Sequence, residues 1–321
     1  MGMVSKLLLI IIPLLLTMNS FGQTPPIGPG VSHDLAIWRA AHYSDVRYKL
    51  NLTLEKMSPV LRGTIELRVN VDGEKGRKGE GETASPGSVP PAVAGGALPP
   101  IILDWRKITG HEKDSTISNV TINDLPLTDL SDSGYVWRFV VPYYLEHDDH
   151  LIFRDGVVAG ENVIKLDFTS PILTSGSAIT RYVDKEDGAE YIYSLFVPSD
   201  ASTAFPVFDQ PDLKARFSLK VMAPEDWKVV ANEQVKYFIT STENKNFSVD
   251  KHGFEFAETK PISTYVFAFA AGPGEQVSVP SVAGGGSNGI GAGASPPSGL
   301  QVGRPTSPAR GNSATRQSPS Q

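Results

Sequence analysis

The sequence contains no cysteine, which excludes disulfide scaffolds, cysteine-based zinc modules and thiol catalysis. It also lacks an excess of positive charge. Lys and Arg number 29 against 35 Asp and Glu, for a net charge of −6, so no field exists to hold a polyanion and nucleic acid is not an expected partner. No segment sustains an apolar stripe at helical spacing over three turns, so helices are not expected to build the core. Gly and Pro are abundant, at 30 and 25 of 321 residues. Without a Gly-X-Y period, that composition points to low-complexity stretches beside a shorter folded part.

One apolar run, Leu7 to Leu16, is broken only by Pro13; it follows Lys6 and precedes the polar stretch Ser20-Phe21-Gly22-Gln23. As a helix it would rise about 15 Å, roughly half of a bilayer core, so a secretory signal peptide over residues 1–22 is expected rather than a permanent span. The mature chain would start near Gln23 and be exported to the periplasm or secreted, with no membrane span after signal removal.

Beyond the run, apolar residues recur with period two. Val46, Tyr48, Leu50, Leu52 and Leu54 alternate with Arg47, Lys49, Asn51 and Thr53, and Ile65, Leu67, Val69 and Val71 alternate with Glu66, Arg68 and Asn70. Such alternation marks half-buried strands, here a hairpin. Further strands are expected at 101–103, 119–122, 135–141, 162–168, 190–196, 216–222, 228–231, 253–256 and 264–270. Gly73 to Pro100 reads as a flexible insertion, and Pro280 to Gln321, rich in Gly, Ser, Pro and Ala, as a disordered tail. The remainder, 33–279, is expected to form one all-β unit.

Several residue groups mimic catalytic motifs without their context. His111-Glu112 opens like H-E-x-x-H but has Ser115 at the fifth position. His147-Asp148-Asp149-His150 reads as a solvated turn rather than a metal site. In the tail, Gly285 to Gly289 fits G-x-S-x-G, and Gly284, Gly286 and Gly289 fit G-x-G-x-x-G, by glycine richness alone. Asn51, Asn119 and Asn246 begin N-x-S/T sequons. None of these supplies a catalytic residue or a metal ligand.

One region is more specific. Tyr191-Ile192-Tyr193-Ser194-Leu195-Phe196-Val197-Pro198 precedes Ala204-Phe205-Pro206-Val207-Phe208-Asp209-Gln210-Pro211-Asp212-Leu213-Lys214-Ala215. This resembles the aminopeptidase N family of zinc metallopeptidases, whose N-terminal domain carries Y-x-F-S-Q-F-E-P and then F-P-x-x-D-E-P-x-x-K-A. The signature loop maps to Phe205, Pro206, Asp209, Pro211 and Lys214. Val46-Arg47-Tyr48, Arg62-Gly63-Thr64 and Phe256 to Tyr265 extend the likeness in the same order.

The resemblance implies a saddle-shaped antiparallel β-sandwich over 33–279 that forms one wall of a substrate cleft without itself being catalytic. The family's G-x-M-E-N and H-E-x-x-H motifs do not occur in this sequence. No cofactor is therefore expected in this chain; zinc is implied for a full-length relative, and a zinc-peptidase catalytic domain or a peptide is the implied partner. The chain is expected to end before the zinc-binding domain and to be inactive alone.

In the family, the Gln and Glu of S-Q-F-E-P reach the active site, and the Glu holds the substrate's free amine. Here Leu195 and Val197 occupy those positions. Asp200 is the nearest carboxylate that could substitute. Alternation places Tyr191, Tyr193, Leu195 and Val197 on one face, which is expected to pack in the core. The alternative function is a stand-alone peptide- or protein-binding scaffold that docks partners by strand addition.

Overall fold

The computed structural model describes residues 24–72, 98–130, 141–239 and 251–274. The expected signal peptide and tail, all but the last three residues of the Gly73 to Pro100 insertion, all but the last residue of the 135–141 strand, and Asn246 lie outside the described residues.

The described chain begins with helix α1 (His33–His42). Ser32 caps it, its Oγ accepting from Leu35 N at 3.2 Å, and Asp34 in the first turn with Arg39 and His42 in the last suit the helix dipole. Ten residues are fewer than three turns. A helix this short escapes a search for a three-turn stripe, yet it buries Leu35, Trp38 and Arg39.

Strands follow. The first are β1 (Tyr43–Thr53), β2 (Val60–Val71), β3 (Ile101–Asp104), β4 (Thr116–Ile122), β5 (Leu125–Pro126) and β6 (Thr128–Asp129). Next come β7 (Tyr143–His147), β8 (His150–Phe153), β9 (Gly160–Pro171), β10 (Ile179–Val183) and β11 (Glu190–Ser194). Last are β12 (Ala215–Pro224), β13 (Trp227–Ala231), β14 (Val235–Ile239), β15 (Lys251–Phe256) and β16 (Phe269–Pro273).

Most of the expected strands appear. The stretch 264–270 differs: Thr264–Val266 forms a single 3-10 turn and the strand starts only at Phe269. Thr264 is held by its own hydroxyl, which donates to Phe208 O at 3.0 Å, so a buried anchor overrides the alternating pattern there.

The strands form three sheets. The large one runs β14-β15-β12-β1-β2-β9-β4-β5, a second β10-β11-β16-β13, and a third β3-β8-β7-β6. Pairing is antiparallel except for β1 with β12 and β6 with β7. The result is an all-β sandwich with mixed and antiparallel sheets.

The expected hairpin is present, with Tyr48 opposite Leu67 and Leu50 opposite Ile65. Alternation then decides the core. Tyr48, Leu50 and Leu52 of β1, Leu67 and Val69 of β2, Ile164 and Leu166 of β9, and Phe217, Leu219 and Val221 of β12 are all buried. Gly63 on β2 is required by packing, because a Cβ there would lie 2.5 Å from the Phe168 ring.

An aromatic cluster closes the core between the large and second sheets. Phe205 contacts Phe196 and Phe267 edge-on, and Phe267 stacks on Phe217 with centroids 4.4 Å apart. Pairs in such geometry add about 0.5–1.5 kcal/mol each beyond the area they bury.

Candidate functional site

The region singled out by sequence lies at the end of β11 and in the loop that follows. Across β11, Tyr193 stands opposite Thr180 of β10 and Ala270 of β16, and Ala270 stands opposite Val230 of β13. Tyr182 stands opposite Tyr191, with ring centroids 6.3 Å apart. The Tyr191 ring lies over Gly272, where a side chain would collide with it.

The expected alternation holds, but the face is turned the other way. Ile192 and Phe196 are buried, while Tyr191, Tyr193, Leu195 and Val197 are exposed, the last two by 54% and 53%. The expectation of a core-packed face is corrected accordingly. Apolar character alone does not turn the Tyr191–Tyr193 side inward, because the core on the other side is already filled by Ile192, Phe196 and the Phe205 cluster. Together with Tyr182 and Val230, these side chains make an exposed apolar surface on the second sheet.

The signature loop does a different job. Phe205, Pro206, Val207, Phe208, Asp209 and Gln210 are all buried, whereas Pro211 and Lys214 are exposed. The loop is anchored through its backbone: Phe208 N donates to Tyr48 Oη at 2.9 Å, Asp209 N to Asp104 Oδ2 at 2.7 Å, and Ser202 N to Asp209 Oδ2 at 3.0 Å. Gln210 Nε2 donates to Ala36 O on α1. Phe205 packs against Phe196, between Leu195 and Val197, while Asp209 braces the backbone at Ser202. Asp200 pairs with Arg106 at 2.5 Å, both about two-fifths exposed.

Behind the loop sits a buried ionic cluster that sequence reasoning missed. Arg39 of α1 donates to both oxygens of Asp104, at 2.9 and 2.6 Å. His150 stands 2.9 Å from the same carboxylate, fully buried. The reading of His147 to His150 as a solvated turn holds for Asp148 and Asp149, while His147 is exposed at the end of β7, and the reading is corrected for His150. Asp148 and Asp149 adopt left-handed backbone and form the turn, which swings His150 inward as the first residue of β8. The only sequence signal was the apolar run Leu151-Ile152-Phe153 immediately after it.

Burial pushes Asp104 upward, but Arg39 and His150 outweigh it and hold its carboxyl below the usual range. Asp209 has weaker compensation. Burial raises its pKa to about 6, against the lowering effect of the Ser202 amide.

Among the described residues, no three His, Asp or Glu side chains are grouped to hold a metal ion. Nor is any described helix long and apolar enough to cross a membrane.

Residues 107–266 match the family described as the Peptidase M1 N-terminal domain. Aminopeptidase N of Streptomyces lividans is 32% identical over 158 residues, covering 49% of this chain and 16% of that protein. A probable M1 family aminopeptidase 1 of Encephalitozoon cuniculi is 34% identical over 123 residues, 38% of this chain and 13% of its own length. Aminopeptidase N of Acetobacter pasteurianus is 28% identical over 182 residues, 53% of this chain and 49% of that sequence. The chain thus spans less than half the length of each of these relatives. With the matched segment running from just after β3 to the 3-10 turn before β16, through the loop and the exposed strand face described above, the chain carries an N-terminal domain of the M1 aminopeptidase family.

Proposed function

We propose that this chain supplies the non-catalytic, cleft-forming domain of an exported aminopeptidase N-type zinc peptidase. The observation that carries the reading is the exposed apolar face of Tyr182, Tyr191, Tyr193, Leu195, Val197 and Val230, continuous with the segment where the family lines its cleft. A face of this kind is costly to leave in water and fits burial against a second domain. Zinc and the hydrolytic residues belong to that second domain; this chain's share is to wall the cleft.

Val197 also bears on the substrate. It stands where the family places an amine-binding Glu, and valine offers an ammonium no charge partner. Asp200 is the nearest carboxylate in sequence, and Arg106 already engages it, so an ammonium must compete with a guanidinium there. A peptide's free amine left unpaired in a partly buried cleft loses about 3–5 kcal/mol, which is two to four decades in kcat/KM.

The test joins the full chain to the catalytic region of the Streptomyces lividans relative and compares Val197→Glu with the parent fusion on an aminoacyl fluorogenic substrate. The expected result is a gain of two to four decades, with equal zinc content in both proteins. Equal, measurable rates would overturn the amine argument. Failure of the chain to associate with the catalytic region supplied separately, while the chain alone stays monomeric and binds peptides, would favour the scaffold reading instead.

A further inference from the structure

The segment 24–32 reaches α1 after being tied to the turn between β7 and β8. Gly30 N donates to Asp149 Oδ2 at 3.2 Å, and His150 Nε2 stands 3.1 Å from both Gly28 O and Gly30 O. On its other side, His150 Nδ1 lies 2.9 Å from Asp104 Oδ1, a close ionic contact rather than an aligned hydrogen bond.

Every polar atom within hydrogen-bond distance of the two ring nitrogens is an acceptor. A neutral imidazole carries one N–H and one lone pair, so either tautomer would aim a lone pair at a carboxylate or at two carbonyls. Only the imidazolium presents an N–H on both sides. The ring is fully buried, which leaves no bulk solvent to relieve the mismatch.

The charges facing the ring are few. From α1 comes Arg39, spent on Asp104; from the loop after β11 comes Asp209, whose amide donates to Asp104. Tyr43 of β1 donates to Pro100 O and accepts from Ile102 N, and burial holds its phenol neutral far above the usual range. Across the hairpin, His147 is exposed and pairs with Asp148, and Asp149 is engaged by Gly30 N. Arg39 and His150 against Asp104 and ionised Asp209 make a balanced set of four.

We propose that charged His150 is a pH-operated latch, holding the 24–32 segment on the β7–β8 turn by bridging Asp104 to the Gly28 and Gly30 carbonyls and letting it go when the ring loses its proton. Burial opposes the charged ring, but the Asp104 carboxylate outweighs it and raises the His150 pKa above its ordinary value. Raised in the folded state, the group stabilises the latched form below about pH 6.5, and that contribution is lost as pH climbs through the folded-state value.

The absence of cysteine makes the test direct. Spin labels on the full chain at Pro26→Cys and at the exposed Val158→Cys report the distance from the segment to the body, while imidazole NMR reports the His150 proton. A single narrow distance at pH 6 is expected to broaden over the pH interval in which the ring titrates, with circular dichroism unchanged. In His150→Gln, the same distance is expected to be independent of pH. A wild-type distance that stays narrow past the titration of the ring overturns the latch. So does a wild-type pH dependence that survives in His150→Gln, or one that appears only together with a change in circular dichroism.

Discussion

The two sheet faces open to solvent are built by the same alternation and have opposite chemistry. On the large sheet, Arg47, Lys49, Asn51, Thr64, Glu66, Arg68, Lys165 and Asp167 form rows across β1, β2 and β9. Their polar groups are largely spoken for: Arg68 pairs with Glu66 and Glu161, Lys165 with Asp124, Asn51 with Thr64, and Asp167 with Asn119. On the second sheet, the matching positions are Tyr182, Tyr191, Tyr193, Leu195 and Val230. One face is a finished surface whose charges stay hydrated. The other carries few polar groups beyond the tyrosine hydroxyls and Lys228, a composition suited to burial against another apolar surface.

The largest expected effect removes what both faces stand on. Phe205 is buried at the junction between the sheets and touches Phe196, Phe168, Tyr48 and Phe267. Phe205→Ala should cost about 3–5 kcal/mol by the cavity it leaves, measured by urea denaturation of the full chain. A loss below about 1 kcal/mol would mean that the two sheets do not share this core.

A middle-sized effect concerns pH. Asp209 has a folded-state pKa near 6, above the ordinary carboxylate value, so the native state binds its proton more tightly than the unfolded chain does. Its contribution is favourable below about pH 4 and is lost as pH rises through 6. A shift of about two units corresponds to about 3 kcal/mol at most. Asp209→Asn keeps the acceptor for Ser202 N and should remove this slope between pH 4 and 6 in chemical denaturation curves. An unchanged slope would show that Asp209 is ionised throughout.

Strand identity was legible because period two is written locally: β1, β2, β9 and β12 could be read residue by residue. Which side of a strand meets the core was not. Alternation fixes that Tyr191 and Tyr193 share a face and that Ile192 takes the other, but a strand with apolar residues on both faces leaves the choice to whatever packs against it. The parallel pairing of β1 with β12, well over a hundred residues apart, is likewise set by the whole sheet and not by either strand. The buried cluster was illegible for another reason. Arg39, Asp104 and His150 come from three distant segments, and each alone looks like an ordinary surface residue. The Phe205 to Lys214 loop was found as a resemblance, while its role as a buried brace became visible only through its contacts with Tyr48, Asp104 and α1.

The smallest effect on stability should come from the face that matters most for association, and this is where the comparison is sharpest. Tyr191→Ser with Tyr193→Ser removes two rings that are 36% and 40% exposed, so each gives up only part of its burial. Losing half-exposed surface on folding costs little, and substitutions outside the core usually stay within about 0.5 kcal/mol. The Tyr191 ring does cover Gly272, so that position should account for most of any loss. The control is Arg68→Ala on the large sheet, where two exposed ion pairs contribute about 0–1 kcal/mol in all. By stability alone, the two variants should look alike. They should separate in binding: the serine pair should lower self-association at high concentration and weaken capture by a supplied M1 catalytic region at least tenfold, whereas Arg68→Ala should leave both unchanged. If both variants bind as the parent does, the apolar face is ordinary surface. If Arg68→Ala is the one that fails, the docking side is the charged face of the large sheet.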